Sequence, residues 1–240
     1  MRTIAFALAC CGSLLAQTDN ANYNPGAETG RVVGKPYSAT QVIHSQQTLA
    51  NGSHIDRTIT NLVWQDDQGR FRTEMTNDRR RVVIQDTVAM VVYIIDVEQK
   101  TVRKTEMRPV GPAAQKIAGD VSPVEEARAM ARRSPNHLVE DLGSQFINGV
   151  PALGVRVTTT IPIGTIGNDQ ELKSVTGRWY SNDIHALVKT VTTDPRTGIY
   201  TYELANIVRS APDPTLFRVP AGFAVTAVEN GSLPTAVKKQ

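Results

Sequence analysis

The chain has 240 residues, of which 40% are hydrophobic and 20% are charged, a composition typical of a globular protein. The 26 Lys and Arg residues nearly balance the 23 Asp and Glu residues, so the formal net charge of +3 does not indicate a nucleic-acid partner. The densest basic cluster, Arg79-Arg80-Arg81, follows Asn77-Asp78. This position favours a solvated turn over contact with nucleic acid or anionic lipid.

Residues 1–16 have the pattern of a secretory signal peptide. Met1-Arg2 carry the positive charge, residues 4–9 form an apolar run, and Ala16 precedes a sharp rise in polarity. We expect cleavage after Ala16 and a periplasmic or secreted protein, and the alternative is a buried N-terminal strand. A lipid anchor through Cys11 is less favoured because the apolar run before it is very short. Cleavage removes both cysteines of the sequence, which excludes disulfides and thiolate metal sites.

The predicted domain organisation is one β domain between two flexible ends. Residues 17–36 are rich in Asn, Gly and Pro and predict a flexible arm. Residues 37–225 form the domain, with a helical insertion near 122–133, and residues 226–240 form a flexible tail.

Runs of β-branched and aromatic residues, separated by Asn, Asp, Gly and Pro, predict eleven strands. They span residues 37–49, 54–65, 70–75, 81–85, 89–96, 101–105, 142–147, 152–161, 172–181, 186–193 and 199–209. The short gaps between most of them favour hairpins. The sequence therefore predicts a mainly β fold, a curved antiparallel sheet of about 10–11 strands, with the last three strands as its C-terminal wall.

Two short helices interrupt this pattern. Ser122 is a good N-cap, Pro123 fits the first helical position and Glu125 completes a capping box, which predicts a helix over about 123–133. A second, one-turn helix is expected after Asp213, in residues 213–217.

No catalytic, cofactor or metal motif is recognisable. The four histidines are scattered, without a carboxylate at metal-ligand spacing. Ser181 and His185 are hydrolase residue types, but the GxSxG turn is missing, so we interpret both as turn residues. Gly164 and Gly167 lack the lysine of a phosphate loop. The sequence predicts a protein that is not an enzyme.

Large aromatic residues are the candidates for a ligand cavity. We select Trp64, Phe71, Tyr93, Trp179, Tyr200 and Tyr202. Trp and Tyr on a concave apolar surface would offer area to an acyl chain. The alternative is burial in the core of the sheet, where aromatic residues contribute most to stability.

Several segments, together with the strand order, resemble the LolA-like superfamily of outer-membrane lipoprotein carriers, which includes RseB-type periplasmic regulators. They are residues 34–39 (GKPYSA), 67–74 (DQGRFRTE), 178–181 (RWYS) and 194–198 (DPRTG), with the closing Asp-Pro-x-x-Phe-x-x-Pro motif at 213–220. The resemblance covers most of residues 34–225. The sequence looks similar to an uncharacterised branch common in soil acidobacteria.

The resemblance implies an incomplete barrel whose concave apolar face, covered by a short helix and loops, holds lipid or a lipidated chain. The function expected is an exported, soluble and non-enzymatic one in cell-envelope transport, with lipid or lipoprotein acyl chains as partners and no cofactor. The alternative is an RseB-like envelope-stress sensor, or a protein-interaction module, that contacts an envelope membrane protein. A hydrolase ranks third.

Overall fold

The computed structural model describes residues 33–76, 80–107 and 122–228. The predicted leader, residues 17–32 of the predicted arm and residues 229–240 of the predicted tail lie outside these ranges. The strands are β1 (Tyr37–Thr48), β2 (His54–Gln65), β3 (Phe71–Met75), β4 (Arg81–Asp86), β5 (Val91–Asp96), β6 (Thr101–Glu106), β7 (His137–Ile147), β8 (Val150–Ile161), β9 (Leu172–Ser181), β10 (Ala186–Asp194), β11 (Gly198–Val208) and β12 (Ala224–Val228). The helices are α1 (Pro123–Ala131) and a 3-10 helix (Pro214–Phe217).

All twelve strands form one sheet, in the order β12-β6-β5-β4-β3-β2-β1-β11-β10-β9-β8-β7. Every neighbouring pair is antiparallel except β6 and β12, which are parallel. Two meanders, β1–β6 and β7–β11, meet where β1 pairs with β11. The predicted mainly β, curved antiparallel sheet is confirmed.

The twelfth strand was not among those predicted. Ala224–Val228 pairs with β6, whereas the preceding strand in sequence, β11, lies in the middle of the sheet. Five residues carry little periodicity, and their partner is distant in sequence, so no local signal marks them as a strand. Ordered structure therefore continues to Val228, beyond the predicted start of the tail at residue 226.

Turn and cap chemistry produced the predicted local structure. Asn148 and Gly149 have φ angles of 48° and 87°, which form the two-residue hairpin between β7 and β8. The Ser122 side chain accepts a hydrogen bond of 3.3 Å from the Glu125 N–H, which confirms the predicted helix start. The Glu125 carboxylate accepts from Arg128 at 2.8 Å. The helix buries Val124 and packs against β7 and β8.

Residues that face each other in a strand pair share one face of the sheet, and side chains alternate along each strand. We define the front face as the side that carries Tyr37, Ala39 and Ile43 of β1, and the back face as the other side. On the front face these residues join Val63 and Phe71 in a buried core.

The buried core changes face at β3. On β4–β6 the buried apolar residues lie on the back face; they are Val91 and a cluster of Val82, Ile84, Ile95 and Val102. The segment that links β11 to β12, residues 209–223, covers this cluster, and we call it the strap. Leu216, Phe217, Val219 and Phe223 of the strap pack in this second cluster. The protein thus covers the back face of β4–β6 with its own chain.

Candidate ligand-binding face

The six aromatic residues predicted to line a cavity are divided between the two faces of the sheet. Phe71, Tyr200 and Tyr202 lie on the front face, and Trp64, Tyr93 and Trp179 lie on the back face. The pairings at the C-terminal end show this directly, because Trp179 faces Lys189 while Tyr202 faces Thr190. Lys189 and Thr190 are consecutive and point to opposite sides. The structure does not bring the six residues together.

The front-face members take part in the packed core. Tyr202 is fully buried and faces Ile43 across the β1–β11 pair, and Phe71 is buried in the same cluster. Tyr200 is half-buried, and burial raises the pKa of its hydroxyl. Burial also raises the pKa of Tyr37 at the end of this cluster, with a smaller contribution from Tyr180.

The back-face members pack against other parts of the chain. Trp64 and Tyr93 are half-buried beside the cluster under the strap, and the Arg72 guanidinium lies 5.9 Å from the Trp64 ring centre. The Trp179 ring lies over Gly154, its partner on β8, and over Gly177, two residues before it on β9. A Cβ on Gly154 would lie 2.7 Å from the indole Nε1, and a Cβ on Gly177 would lie 2.9 Å from the indole Cη2. The absence of side chains there makes room for the indole ring.

Ser181 and His185, the two hydrolase residue types, are buried. Ser181 is the last residue of β9 and is 0% exposed, and His185 is 3% exposed, with a φ of 49° in the turn before β10. The His185 ring packs edge-on against Tyr180, with 6.4 Å between ring centres. A substrate carbonyl cannot reach the Ser181 hydroxyl in this arrangement, so the structure favours a packing role for the pair.

The front face of β4–β6 is the part of the sheet that the sequence interpretation missed. Val83, Val92 and Ile94 lie on this face and are only half-buried, whereas Ile84 and Ile95 on the back face are at most 1% exposed. None of these three front-face residues belongs to, or packs against, the two apolar clusters of the described residues. The three form an apolar strip, and the other front-face residues of these strands are polar or charged; they are Arg81, Gln85, Asp96, Thr101, Arg103 and Thr105.

A pocket of about 230 Å³ lies at one end of this open face. Its lining residues come from β4, β5, β6 and the turn between β5 and β6; they are Arg81, Ile94, Asp96, Gln99, Thr101 and Arg103. Arg81 faces Asp96, Asp96 faces Thr101, and Ile94 faces Arg103 across the strand pairs. The sequence signal for apolar residues on both faces of β5 was the run Val91–Asp96, in which every residue before Asp96 is apolar or aromatic.

The described part of the chain has neither a metal-ligand cluster nor a membrane-spanning helix. Within residues 33–76, 80–107 and 122–228, no group of three or more His, Cys, Asp or Glu side chains is arranged to hold a metal ion. No helix of these ranges combines the length and the apolar character needed to cross a membrane.

Comparisons with known proteins give structural matches only. No protein-family model matches the sequence. No curated protein matches it either. The similarities that follow are therefore similarities of fold to solved structures.

MucB of Pseudomonas aeruginosa, solved in complex with MucA, matches 85% of this chain with 17% identity and a TM-score of 0.47. The chain spans 62% of the length of that MucB structure. A LolA superfamily protein from Nitrosomonas europaea matches over 80% of this chain and 94% of its own, with 11% identity and a TM-score of 0.29. Lipoprotein LppX of Mycobacterium tuberculosis matches over 75% of this chain and 90% of its own, with 11% identity and a TM-score of 0.29. The printed name of the Nitrosomonas europaea protein is that of the superfamily that the sequence resembles.

Proposed function

We propose that this protein is an exported, non-enzymatic carrier that binds an apolar ligand on the front face of β4–β6. The ligand class is a lipid, or the acyl chain of a lipidated polypeptide, handled in the cell envelope. The observation that carries the proposal is a half-buried apolar strip on the front face of β4 and β5, formed by Val83, Val92 and Ile94. These three residues lie outside both apolar clusters of the described residues, whereas the back face of the same strands packs against the strap. An acyl chain on the front face would take the place that the strap takes on the back.

The energetics are adequate for such a ligand. Burial of one methylene group contributes about 0.8 kcal/mol. Micromolar affinity requires roughly 8 kcal/mol, which corresponds to about ten buried methylenes before the entropic costs of association. An acyl chain of ordinary length that lies across Val83, Val92 and Ile94 provides contacts on this scale.

One feature of the sequence and one of the structure support the proposed role. The pattern of residues 1–16 supports export, and the burial of Ser181 and His185 supports a role without covalent chemistry. Of the six aromatic residues selected from the sequence, Phe71 lies nearest to the proposed surface in strand order, because β3 pairs directly with β4 on the same face. We propose that Phe71 lies at the edge of the ligand-binding surface that is nearest to the front-face core. The other five have packing partners elsewhere.

A titration tests the proposal. Delipidated protein is titrated with a fluorescent fatty acid, and we expect saturable binding that weakens at least tenfold in Ile94→Glu, because a carboxylate at the centre of the face would have to be desolvated by the ligand. The matched control is Val88→Glu, in the turn between β4 and β5, where the native side chain is already 52% exposed. A flat titration of the unmodified protein would contradict the proposal, and so would equal affinities of the two variants.

A second candidate function is binding of an envelope protein. Phe146, on the strand at the edge of the sheet, is 79% exposed, and an exposed aromatic residue of this kind often anchors a protein interface. The expected result is that an envelope extract yields one membrane protein with the unmodified chain and not with Phe146→Ser. Recovery of the same protein with both chains would remove the specific support for this candidate.

A further inference from the structure

The pocket at the end of the front face contains two arginines, and we infer that it binds the headgroup of an amphiphile as a monoanion. This inference rests on the proposed function, since it places the acyl chain of the same ligand along the open face. The acyl chain would lie on Val83, Val92 and Ile94, and the anionic group would lie between Arg81 and Arg103.

The strand pairing places the backbones of Arg81 and Arg103 on opposite sides of β5. Arg81 begins β4 and Arg103 lies on β6, so both flank β5 on the front face. Neighbouring strands are about 4.8 Å apart, and Arg103 lies two residues along the strands from the row of Arg81 and Asp96, so the two backbone positions are about 12 Å apart. Two arginine side chains can bridge this distance and bind one group of oxygens from both sides, which is the geometry that carboxylates and phosphodiesters prefer.

The charges of the lining favour a single negative charge. Arg81 and Arg103 carry two positive charges and Asp96 carries one negative charge, so the lining has a net charge of +1. One oxygen of Asp96 is engaged, because Oδ1 accepts a 2.9 Å hydrogen bond from the Gln99 N–H. The carboxylate is thus part of the β5–β6 turn and lowers the attraction for a dianion.

The two arginines also differ from the structural arginines of this protein. Arg70 lies 2.6 Å from an oxygen of Asp66, and Arg196 lies 2.7 Å from an oxygen of Asp194. Among the residues that the structure describes, no carboxylate oxygen lies within 4.0 Å of the Arg81 or Arg103 guanidinium. Both guanidinium groups are therefore available to an anion in the pocket that they line.

The apolar wall distinguishes an amphiphile from a free anion. Ile94 lines the pocket itself, Val83 faces Ile94 across the strand pair, and Val92 lies two positions along the same strand. The apolar strip and the charged pocket are thus continuous. A free carboxylate or phosphate would leave this strip exposed, whereas an attached chain would bury it.

Three ligands with one chain and different headgroups test the inference. Laurate, dodecanol and dodecylamine are titrated into the delipidated protein, into Arg81→Gln/Arg103→Gln and into Arg132→Gln/Arg133→Gln. The last variant removes the same charge from exposed positions after α1 and serves as the control. We expect the unmodified protein and the control to bind laurate at least tenfold more tightly than dodecanol, and dodecylamine most weakly. In the pocket variant the laurate to dodecanol ratio should fall to about one while dodecanol affinity is unchanged.

The outcomes separate the two proposals. If no ligand binds, the carrier function fails and the inference fails with it. If laurate and dodecanol bind equally well, or if the pocket variant keeps the preference for laurate, the inference alone is wrong. If acetate displaces laurate at equal concentration, the pocket takes a free anion and the inference is also overturned. Thermal unfolding of each variant checks that both arginines were replaced without loss of the fold.

Discussion

The guanidinium of Arg72 on β3 donates a hydrogen bond of 2.7 Å from Nη1 to the backbone oxygen of Leu216 in the strap, 144 residues away in sequence. The Arg72 side chain is 11% exposed, and its other donors contact Glu74 on the same strand. A second contact lies beside it, since the Arg70 guanidinium is 5.0 Å from the ring centre of Phe217. The strap is therefore attached to the sheet at the strand where the core changes face.

Arg72→Met should lower the free energy of unfolding by about 2 kcal/mol. Hydrogen bonds to charged groups contribute about 1.5–3 kcal/mol, and Glu74 would lose its partner. Urea denaturation measures the change. Limited trypsin digestion gives a second readout, because a strap that detaches more often should be cut sooner at Arg209 and Arg218.

The control for this prediction is Arg132→Met, at an exposed position after α1. It removes an arginine without removing a described contact of its side chain, so stability should change by less than about 0.5 kcal/mol. If Arg72→Met were as stable as this control, the contact with Leu216 would have no role in holding the strap.

Gly154→Ala should destabilise the protein through Trp179. The new Cβ would lie 2.7 Å from the indole Nε1 and 2.9 Å from the Leu142 Cβ, distances at which a neighbour has to move. Overpacking of this kind costs about 1–3 kcal/mol. Denaturation followed by tryptophan fluorescence reports both the stability and the change around the ring.

A double-mutant cycle shows whether the ring is the cause. In a Trp179→Ala background, Gly154→Ala should cost clearly less than it does alone, because the ring atoms that it meets are gone. Equal costs in both backgrounds would assign the effect to Leu142 or to the backbone instead. Gly177→Ala, which meets the other end of the same ring, should behave in the same way.

Asp194 should make the stability depend on pH at the acidic end. The pKa of this carboxyl is held at about 2, below its ordinary value of 3.8, mainly by the hydrogen bond from the Arg196 side chain. The Arg196 N–H and the Ser174 side chain also lower the pKa, whereas burial raises it. The folded state therefore gains stability above about pH 4 and loses it as the pH falls towards 2. Because the Arg196 side chain is 47% exposed, water screens part of the effect.

Asp194→Asn should thus lower the free energy of unfolding by about 1–2 kcal/mol at pH 7 and by much less near pH 2. Urea denaturation at the two pH values measures the difference. Arg196→Met should reproduce the same pH profile, because it removes the main cause of the shift. A loss that is the same at pH 7 and pH 2 would show that Asp194 stabilises the turn by packing alone.

Ser181→Ala should leave stability unchanged or raise it by up to about 1 kcal/mol. The Ser181 hydroxyl is buried, and no described residue lies within hydrogen-bond distance of its oxygen. An unsatisfied buried hydroxyl costs free energy, so its removal is favourable or neutral. Thr190→Val, another buried hydroxyl of the same kind, is the matched comparison. Esterase activity in the unmodified protein that Ser181→Ala abolishes would contradict the packing role.

Local signals in the sequence predicted most elements, and the errors fall where long-range contacts decide. The hairpin at Asn148 and Gly149 and the helix start at Ser122 follow from turn and cap chemistry within a few residues. β7 begins at His137, five residues before its predicted start. The prediction placed the start too late because Glu140 and Asp141 interrupt the apolar pattern of the strand. β12 depends on a partner strand far away in sequence.

The candidate site could be predicted only in part. Alternation along one strand shows that Trp179 and Tyr180 point to opposite sides, but it does not say which of them shares a face with Tyr202. That relation depends on the register of β10 with both neighbours, in which Lys189 faces Trp179 and Thr190 faces Tyr202. Register between strands is a tertiary property.

The sequence by itself determined a β-rich chain with short turns, one capped helix and a strand, Val91–Asp96, that is apolar on both sides. Each of these features arises from interactions between residues close together in the chain. Only the tertiary structure decided that β1 joins the two meanders, that the strap covers the back face, and that Arg81 and Arg103 border an open front face. These features depend on contacts between distant residues, and the pattern along one strand does not record which face a distant segment will cover.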